Sequence, residues 1–319
     1  MMSLLLLVLP CVYWSEGVES RAKLEAAAIK RLCVAPEKVD AWRAAGFSVS
    51  PMTEAELASR EALPTPGVTA RAGLASPTRS PWIVANGWRF TRHPGTKYVY
   101  DLPAAKATLA AAEVFAYGAD AVLKIDPADL GNVGTVGSML TFLEGLPNAG
   151  LPDAGLPTVA DLAVVDDGSA ITGEVMNLLA RRNLLFELVQ APSARFRINI
   201  AMGSAGYPLE QAADPSAFAL KIRRQLTDEQ RSLRVYGSEV VICRLTGDAK
   251  RIRLHLINYG GREIEGLRIR LRGAYRDGEA QIAGAGRLPL DAYVVADGAT
   301  EFSVPRITTY AVIDLEAVR

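Results

Sequence analysis

Three carboxylates follow directly on apolar, strand-like runs: Glu16 after V-Y-W-S, Asp101 after K-Y-V-Y and Asp126 after A-V-L-K-I. In parallel β/α folds the chemistry gathers beyond the C-terminal ends of the strands. A pair of carboxylates there, one protonated as general acid and one ionised as nucleophile or base, is what glycosidic cleavage requires. Glu16 and Asp126 are the first choice for such a pair, with Asp101 in reserve. The competing role for all three is to cap the next helix or to pair with Lys97 or Lys124. All four tryptophans precede residue 90. Indole faces stack on the apolar faces of sugar rings, so Trp14 and Trp88 are candidate binding residues. Asn86 and Arg89, beside Trp88 in W-I-V-A-N-G-W-R-F, could hydrogen-bond hydroxyls. Core or rim packing is the competing role for the tryptophans.

Other chemistries find little to work with. There are two histidines, His93 and His255, and three cysteines, Cys11, Cys33 and Cys243. A zinc site of His and Cys would need most of them to converge from three regions, so no metal is expected. His255 alternates with Arg251 and Arg253 in R-I-R-L-H-L-I-N-Y and reads as a half-exposed strand residue; His93 lies in the turn R-H-P-G. Neither glycine-rich phosphate signature, G-x-G-x-x-G or G-x-x-x-x-G-K-[ST], occurs, and no cofactor is expected. Asp166, Asp167 and Ser169 read as the cap of a helix at Ala170, where paired carboxylates would repel a phosphate. Positive and negative residues balance at 35 each, so no global field favours nucleic acid.

The elements that must position these residues fall into three regions. Short strands alternate with helices up to about residue 156, which implies a parallel sheet with right-handed crossovers. The helices expected there include Glu19–Ala28, Glu37–Ala45, a capping-box helix from Thr53, Ala104–Tyr117 and Val136–Glu144. Trp82–Phe90 reads as a strand or strand edge. The Leu-Pro-rich stretch L-P-N-A-G-L-P-D-A-G-L-P marks a boundary near Pro157. A small α/β region follows, with strands at Leu162–Val165, Leu185–Val189 and Phe196–Ala201 and helices at Ala170–Arg182 and Pro215–Leu226. From Leu233 onward period-two runs separated by Gly, Asp and Asn turns predict an antiparallel β-sandwich. In Ile264–Leu271, Leu267, Ile269 and Leu271 point inward and Arg268, Arg270 and Arg272 outward. The organisation expected is therefore a leader-like segment at 1–11, a β/α region at 12–156, an α/β region at 157–232 and a sandwich at 233–319. The apolar run L-L-L-L-V-L is too short to span a bilayer and resembles the core of a secretory signal, although it lacks a basic n-region and an A-x-A site. A periplasmic or secreted protein is expected, with a buried strand running into Cys11-Val12-Tyr13-Trp14 as the alternative.

This order, with A-D-L-A-V-V-D-D opening the middle region and R-L-H-L-I-N-Y in the last, resembles multidomain bacterial glycoside hydrolases, especially the family 42 β-galactosidase type. The resemblance implies a (β/α)8-barrel-type catalytic region, a glutamine-amidotransferase-like domain and a terminal β domain. It implies a carbohydrate ligand and carboxylate-based hydrolysis of glycosidic bonds. Two departures stand out. The first region is short of the ~250 residues of a full barrel, with about five strands legible rather than eight. No cysteine lies between Cys33 and Cys243, so the amidotransferase-like domain should be non-catalytic and serve packing or contacts in a homo-oligomer. The alternative function is a catalytically inactive glycan-binding or assembly protein on a degenerate hydrolase scaffold.

Overall fold

A computed structural model of the chain describes residues 9–69, 82–132, 134–149, 153 and 155–318. The leader-like run therefore lies mostly outside the described residues. In chain order the strands are β1 Cys11–Tyr13, β2 Arg31–Val34, β3 Ser48–Pro51, β4 Glu61–Ala62, β5 Gly67–Thr69, β6 Trp82–Val84, β7 Lys97–Asp101 and β8 Asp120–Lys124; then β9 Leu162–Val165, β10 Phe186–Val189, β11 Asn199–Ile200 and β12 Leu233–Tyr236; then β13 Val241–Gly247, β14 Arg251–Asn258, β15 Ile264–Arg272, β16 Glu279–Ile282, β17 Gly286–Pro289, β18 Asp291–Ala296, β19 Ala299–Ile307 and β20 Tyr310–Glu316. The α-helices are α1 Arg21–Ala26, α2 Val39–Ala44, α3 Glu54–Ala58, α4 Gly87–Arg92, α5 Ala104–Tyr117, α6 Gly134–Glu144, α7 Ala170–Arg181 and α8 Pro215–Leu226.

The chain divides into two compact units, one of Met1–Gly67 with His93–Ala154 and one of Val68–Arg92 with Gly155–Arg319. The segment Val68–Arg92 groups with the second unit and not with the strands and helices on either side of it in sequence.

The first unit is built on a six-stranded sheet in the order β3-β2-β1-β8-β7-β4. Every pair in it is parallel. Each strand neighbours its predecessor among the sheet strands except at one place, and the first strand pairs with the last. That is the cyclic order of a barrel, open between β3 and β4. On one face Val12, Leu32 and Leu123 are register partners and fully buried. The other face carries Tyr13, Cys33 and Val122, packed together with Met52. There Cys11 and Cys33 form a disulfide that ties β1 to β2. Helix α5 matches the expected alanine-rich span. It starts after Pro103 and stops at Gly118, whose φ of 62° is the left-handed conformation that costs glycine least. Its Glu113 is fully buried and accepts a 2.6 Å hydrogen bond from the Tyr100 hydroxyl on β7. Thr53 makes the expected capping box with Glu56 at the start of α3.

The second unit contains a parallel three-stranded sheet in the order β10-β9-β11. Helices α7 and α8 cover it through Val175, Met176, Leu179, Phe218 and Ile222, which share a core with Leu162 and Val164. Pro215 opens α8 behind the Asp214 cap, whose side chain accepts from Ala217 N–H. The strand expected at Phe196–Ala201 shrinks to Asn199–Ile200. The stretch before it is held by Asn199, whose side chain bonds Ser193 and Phe196 locally and so competes with ladder formation.

Strands β5 and β6 pair as a two-stranded sheet, and β12–β20 form two antiparallel sheets, β12-β15-β19-β18 and β13-β14-β20-β16-β17, as the alternating pattern predicts. Leu267, Ile269 and Leu271 are buried with Leu254, Phe302 and Ile313 in the shared core. Arg268 and Arg272 are exposed and Arg270 is half-buried. His255 is on a strand as expected but is fully buried and not half-exposed. Its Nδ1 lies 2.7 Å from the Tyr310 hydroxyl. Arg253 beside it is equally buried and grips Asp314 with two 2.7 Å bonds. The small α/β layer is joined to the sandwich by Asn183, whose side chain donates to Val241 O at 2.9 Å and accepts from Cys243 N–H at 2.8 Å.

Candidate functional site

The parallel register of the first unit brings a specific set of side chains to one edge. Cys33 pairs with Tyr13, Tyr13 with Lys124, and Lys124 with Asp101. These four residues form one row across β2, β1, β8 and β7, at or near the C-terminal ends of those strands. Partners in a parallel register present their side chains to the same face. The row therefore continues the face that holds the disulfide. Glu16 and Asp126 lie a few residues beyond it, on the loops that leave β1 and β8. All three candidate carboxylates thus belong to the C-terminal edge of three neighbouring strands, the edge where β/α folds place chemistry.

Each carboxylate already has a local partner. Glu16 is bridged by Lys23 of α1 at 3.0 Å. Asp101 is bridged by Lys124 at 2.5 Å. Asp126 is exposed and accepts a 2.8 Å bond from Ala128 N–H, the bond of a turn two residues long. Lys38 of the segment after β2 reaches back to Ser15 O at 2.5 Å and fixes the loop that carries Glu16. Glu16 and Asp101 are thus in surface ion pairs, and a pair of this kind contributes only ~0–1 kcal/mol. Lys124 enters here as a residue of the edge. Its signal in the sequence is the single charge interrupting A-V-L-K-I, which reads as an ion-pair partner for the strand-end carboxylates.

The aromatic candidates behave differently. Trp14 is fully buried, and its indole N–H donates to Ser20 Oγ at 2.8 Å. Trp88, Asn86 and Arg89 belong to the second unit. There the expected strand at Trp82–Phe90 resolves into β6 and the short helix α4, because the Asn86-Gly87 pair ends the β-branched run. Asn86 and Trp88 are buried, and Trp88 packs in the core of the small α/β domain. The Arg89 guanidinium lies 4.4 Å from the centroid of the Trp88 ring. None of the three indoles at positions 14, 42 and 88 presents an open face. The competing reading, core packing, therefore describes Trp14 and Trp88.

Helix α4 is locked to the start of α7. Arg92 makes a two-pronged bond to Asp166 at 2.7 and 3.1 Å and also donates to Ser169 O. Burial tends to raise the Asp166 carboxyl, but the Arg92 bonds, the Gly168 N–H and the Arg92 charge together hold it below its ordinary range. Ser169 is the N-cap, accepting from Thr172 N–H at 3.1 Å, and Asp167 accepts from Ser169 N–H. The acidic turn is thus a helix start and an ion pair. Gly173 permits the crossing, since a Cβ there would stand 3.0 Å from the Trp88 ring.

Among the described residues, no cluster of His, Cys, Asp and Glu is arranged to hold a metal ion, and no helix is long and apolar enough to cross a membrane. No family model and no curated protein matches the chain. Among solved structures, α-L-fucosidase isoenzyme 2 from Paenibacillus thiaminolyticus aligns over 94% of this chain and 80% of its own, with a TM-score of 0.55 and 9% identity. The β-galactosidase from Rahnella sp. R3 aligns over 89% of this chain at a TM-score of 0.43 and 10% identity, and this chain covers 63% of its length. The GH42 β-galactosidase Gan42B from G. stearothermophilus aligns over 72% at a TM-score of 0.38 and 9% identity, with 52% of its length covered. The chain is therefore similar in fold to a glycoside hydrolase, and in layout it joins a parallel β/α sheet, a small α/β domain and an antiparallel β-sandwich.

Proposed function

We propose that this chain is an exported, carbohydrate-active protein on a glycoside-hydrolase-like scaffold, in which Glu16 and Asp126 cleave glycosidic bonds as an acid and nucleophile (or base) pair. The observation that supports it is the shared C-terminal edge of β1, β7 and β8, which gathers Glu16, Asp101 and Asp126. Asp101, paired with Lys124, is the reserve for either role. The cyclic strand order supports reading the first unit as an incomplete barrel. The small three-stranded domain is the amidotransferase-like part of the same layout. Ile171, Leu209 and Leu220 are exposed apolar residues on it, consistent with a contact between copies. The Cys11–Cys33 disulfide supports export, because such bonds persist in oxidising compartments.

A second reading, a catalytically inactive glycan-binding or assembly protein, is favoured by the buried state of Trp14 and Trp88 and by the local partners of all three carboxylates. A panel of aryl glycosides separates the two. If the pair acts, wild type turns over at least one substrate, and Glu16→Gln and Asp126→Asn each slow it by about 10²–10⁴-fold. Unchanged turnover in Glu16→Gln removes Glu16 from the mechanism, and no turnover on any glycoside leaves the second reading.

A further inference from the structure

The second unit carries a recess of ≈ 410 Å³ lined by Arg181, Arg182, Arg223 and Arg231, with Tyr236 and Glu239 among the other walls. Arg234 stands next to it, over the Tyr236 ring at 4.7 Å. The neighbouring acid is Asp228, which meets Arg234 at 3.0 Å, Arg231 at 3.5 Å and Arg223 at 3.8 Å. Four guanidiniums therefore line the recess and a fifth adjoins it, and three of the five share the single carboxylate of Asp228. Arg181 and Arg223 occupy the last turns of α7 and α8, where a cation complements the helix dipole. That accounts for two of them and leaves Arg182, Arg231 and Arg234, of which Arg231 is the most buried. The Arg231 side chain is 6% exposed. It donates to Asn183 O at 3.2 Å, and its buried Nε has no hydrogen-bond partner. Burial, and then the charge of Arg223, push its guanidinium below the usual range. A buried cation beside other cations is an arrangement that a bound anion would relieve.

We infer that this recess binds the anionic group of an acidic saccharide, a sugar carboxylate or sulfate ester held by Arg182, Arg223 and Arg231, with the half-buried Tyr236 ring beside the sugar. Planar guanidiniums match carboxylate and sulfate oxygens two at a time. The saccharide part of this assignment rests on the carbohydrate-active reading above; the anion part rests on the recess alone.

The test is titration calorimetry on the full chain with three tetrasaccharides: a galacturonate, a sulfated galactan and an uncharged galactan. Inorganic sulfate is titrated alone in a fourth series. At least one acidic oligosaccharide should bind saturably, more weakly with added salt, while the neutral one should not. Arg182→Ala, at a half-buried position, and Arg223→Ala, at an exposed one, should each weaken binding about 10-fold, with the melting temperature of Arg223→Ala unchanged. No saturable binding of either acidic oligosaccharide overturns the inference. So does equal binding of the neutral one, or binding that both arginine variants retain in full. Inorganic sulfate binding as tightly as the sulfated oligosaccharide overturns the assignment to a saccharide. Glu16→Gln should leave all these affinities unchanged, so a failure of the hydrolytic reading is read separately from a failure here.

Discussion

Replacing Gly137 by alanine should damage the first unit far more than a single methyl group ordinarily does. Gly137 lies on α6, where that helix crosses the C-terminal end of α1. A Cβ built there stands 2.1 Å from Ala27 O, and 2.4 Å from the Ala28 carbonyl carbon. Comfortable separations for such atoms are about 3.5–4.0 Å, so the two segments must part by more than 1 Å. Neither neighbour is a pliable side chain. Both are backbone, and Ala28 is held at a φ of 55° with its N–H bonded to Glu25 O. Overpacking costs roughly 1–3 kcal/mol, and a clash between two backbones belongs at the upper end. Alanine returns about 0.5–1 kcal/mol in helix propensity, so the net loss should be about 2 kcal/mol. Gly145, just past the same helix, is the control: its Cβ would meet only carbonyl oxygens at 3.5 Å. It should be neutral or slightly stabilised through the unfolded chain. Thermal melts followed by circular dichroism should place Gly137→Ala about 4–8 °C below wild type, with Gly145→Ala unchanged. Equal melting of Gly137→Ala and wild type, or an equal fall in both variants, would refute the close approach of α6 to α1.

Removing the disulfide with Cys33→Ser opens a loop with a sequence separation of 22. It should cost about 3 kcal/mol, and dithiothreitol should lower the melting temperature of wild type but not of the variant. Asp166 is held below its ordinary range in the folded state. Its contribution is therefore present above its unfolded value of about 4 and is lost as pH falls through the depressed folded value. Asp166→Asn should remove that step from a series of urea melts across acid pH, and an unaltered acid profile would detach the Arg92 pair from stability. Asn183, at a φ of 50°, combines a backbone and a side-chain role. Asn183→Gly should lose the two buried bonds to β13, and Asn183→Ala should lose about 1 kcal/mol more through the left-handed backbone. Equal losses would place the whole effect in the side chain.

The sequence revealed elements wherever local chemistry and tertiary environment agreed. Ala104–Tyr117 was readable because alanine-rich propensity, Pro103 before it and Gly118 after it act together. The Thr53–Glu56 and Asp214-Pro215 starts were readable because caps are local. The sandwich was readable because Leu267, Ile269 and Leu271 alternate with arginines. Trp82–Phe90 was misread because W-I-V carries the strand signal, while the helix after Gly87 is stabilised by Trp88 packing on Gly173 and Arg92 pairing with Asp166, contacts made with residues far along the chain. The candidate carboxylates could be placed at strand ends, but the row Cys33-Tyr13-Lys124-Asp101 depends on which strands are neighbours. Period and composition carry no information on that. The flanking arginines suggest a wet face for His255, but Arg253 is itself buried and reaches the exposed carboxylate of Asp314.

The chain leaves the first unit after Gly67, contributes Val68–Arg92 to the second, and returns at His93. This interruption has a consequence for synthesis. The indole of Trp88 is made 85 residues before Gly173, the residue it packs against. At ribosomal speeds of about 5–20 residues per second, it waits roughly 4–17 s without its partner helix. During that interval the first unit can close around its own strands while the apolar side chains of Trp82–Arg92 stay exposed to solvent and to holdase chaperones. The second unit is consequently assembled from two separate stretches of sequence, and a fragment beginning at Gly155 would lack the tryptophan and the arginine that lock its first helix.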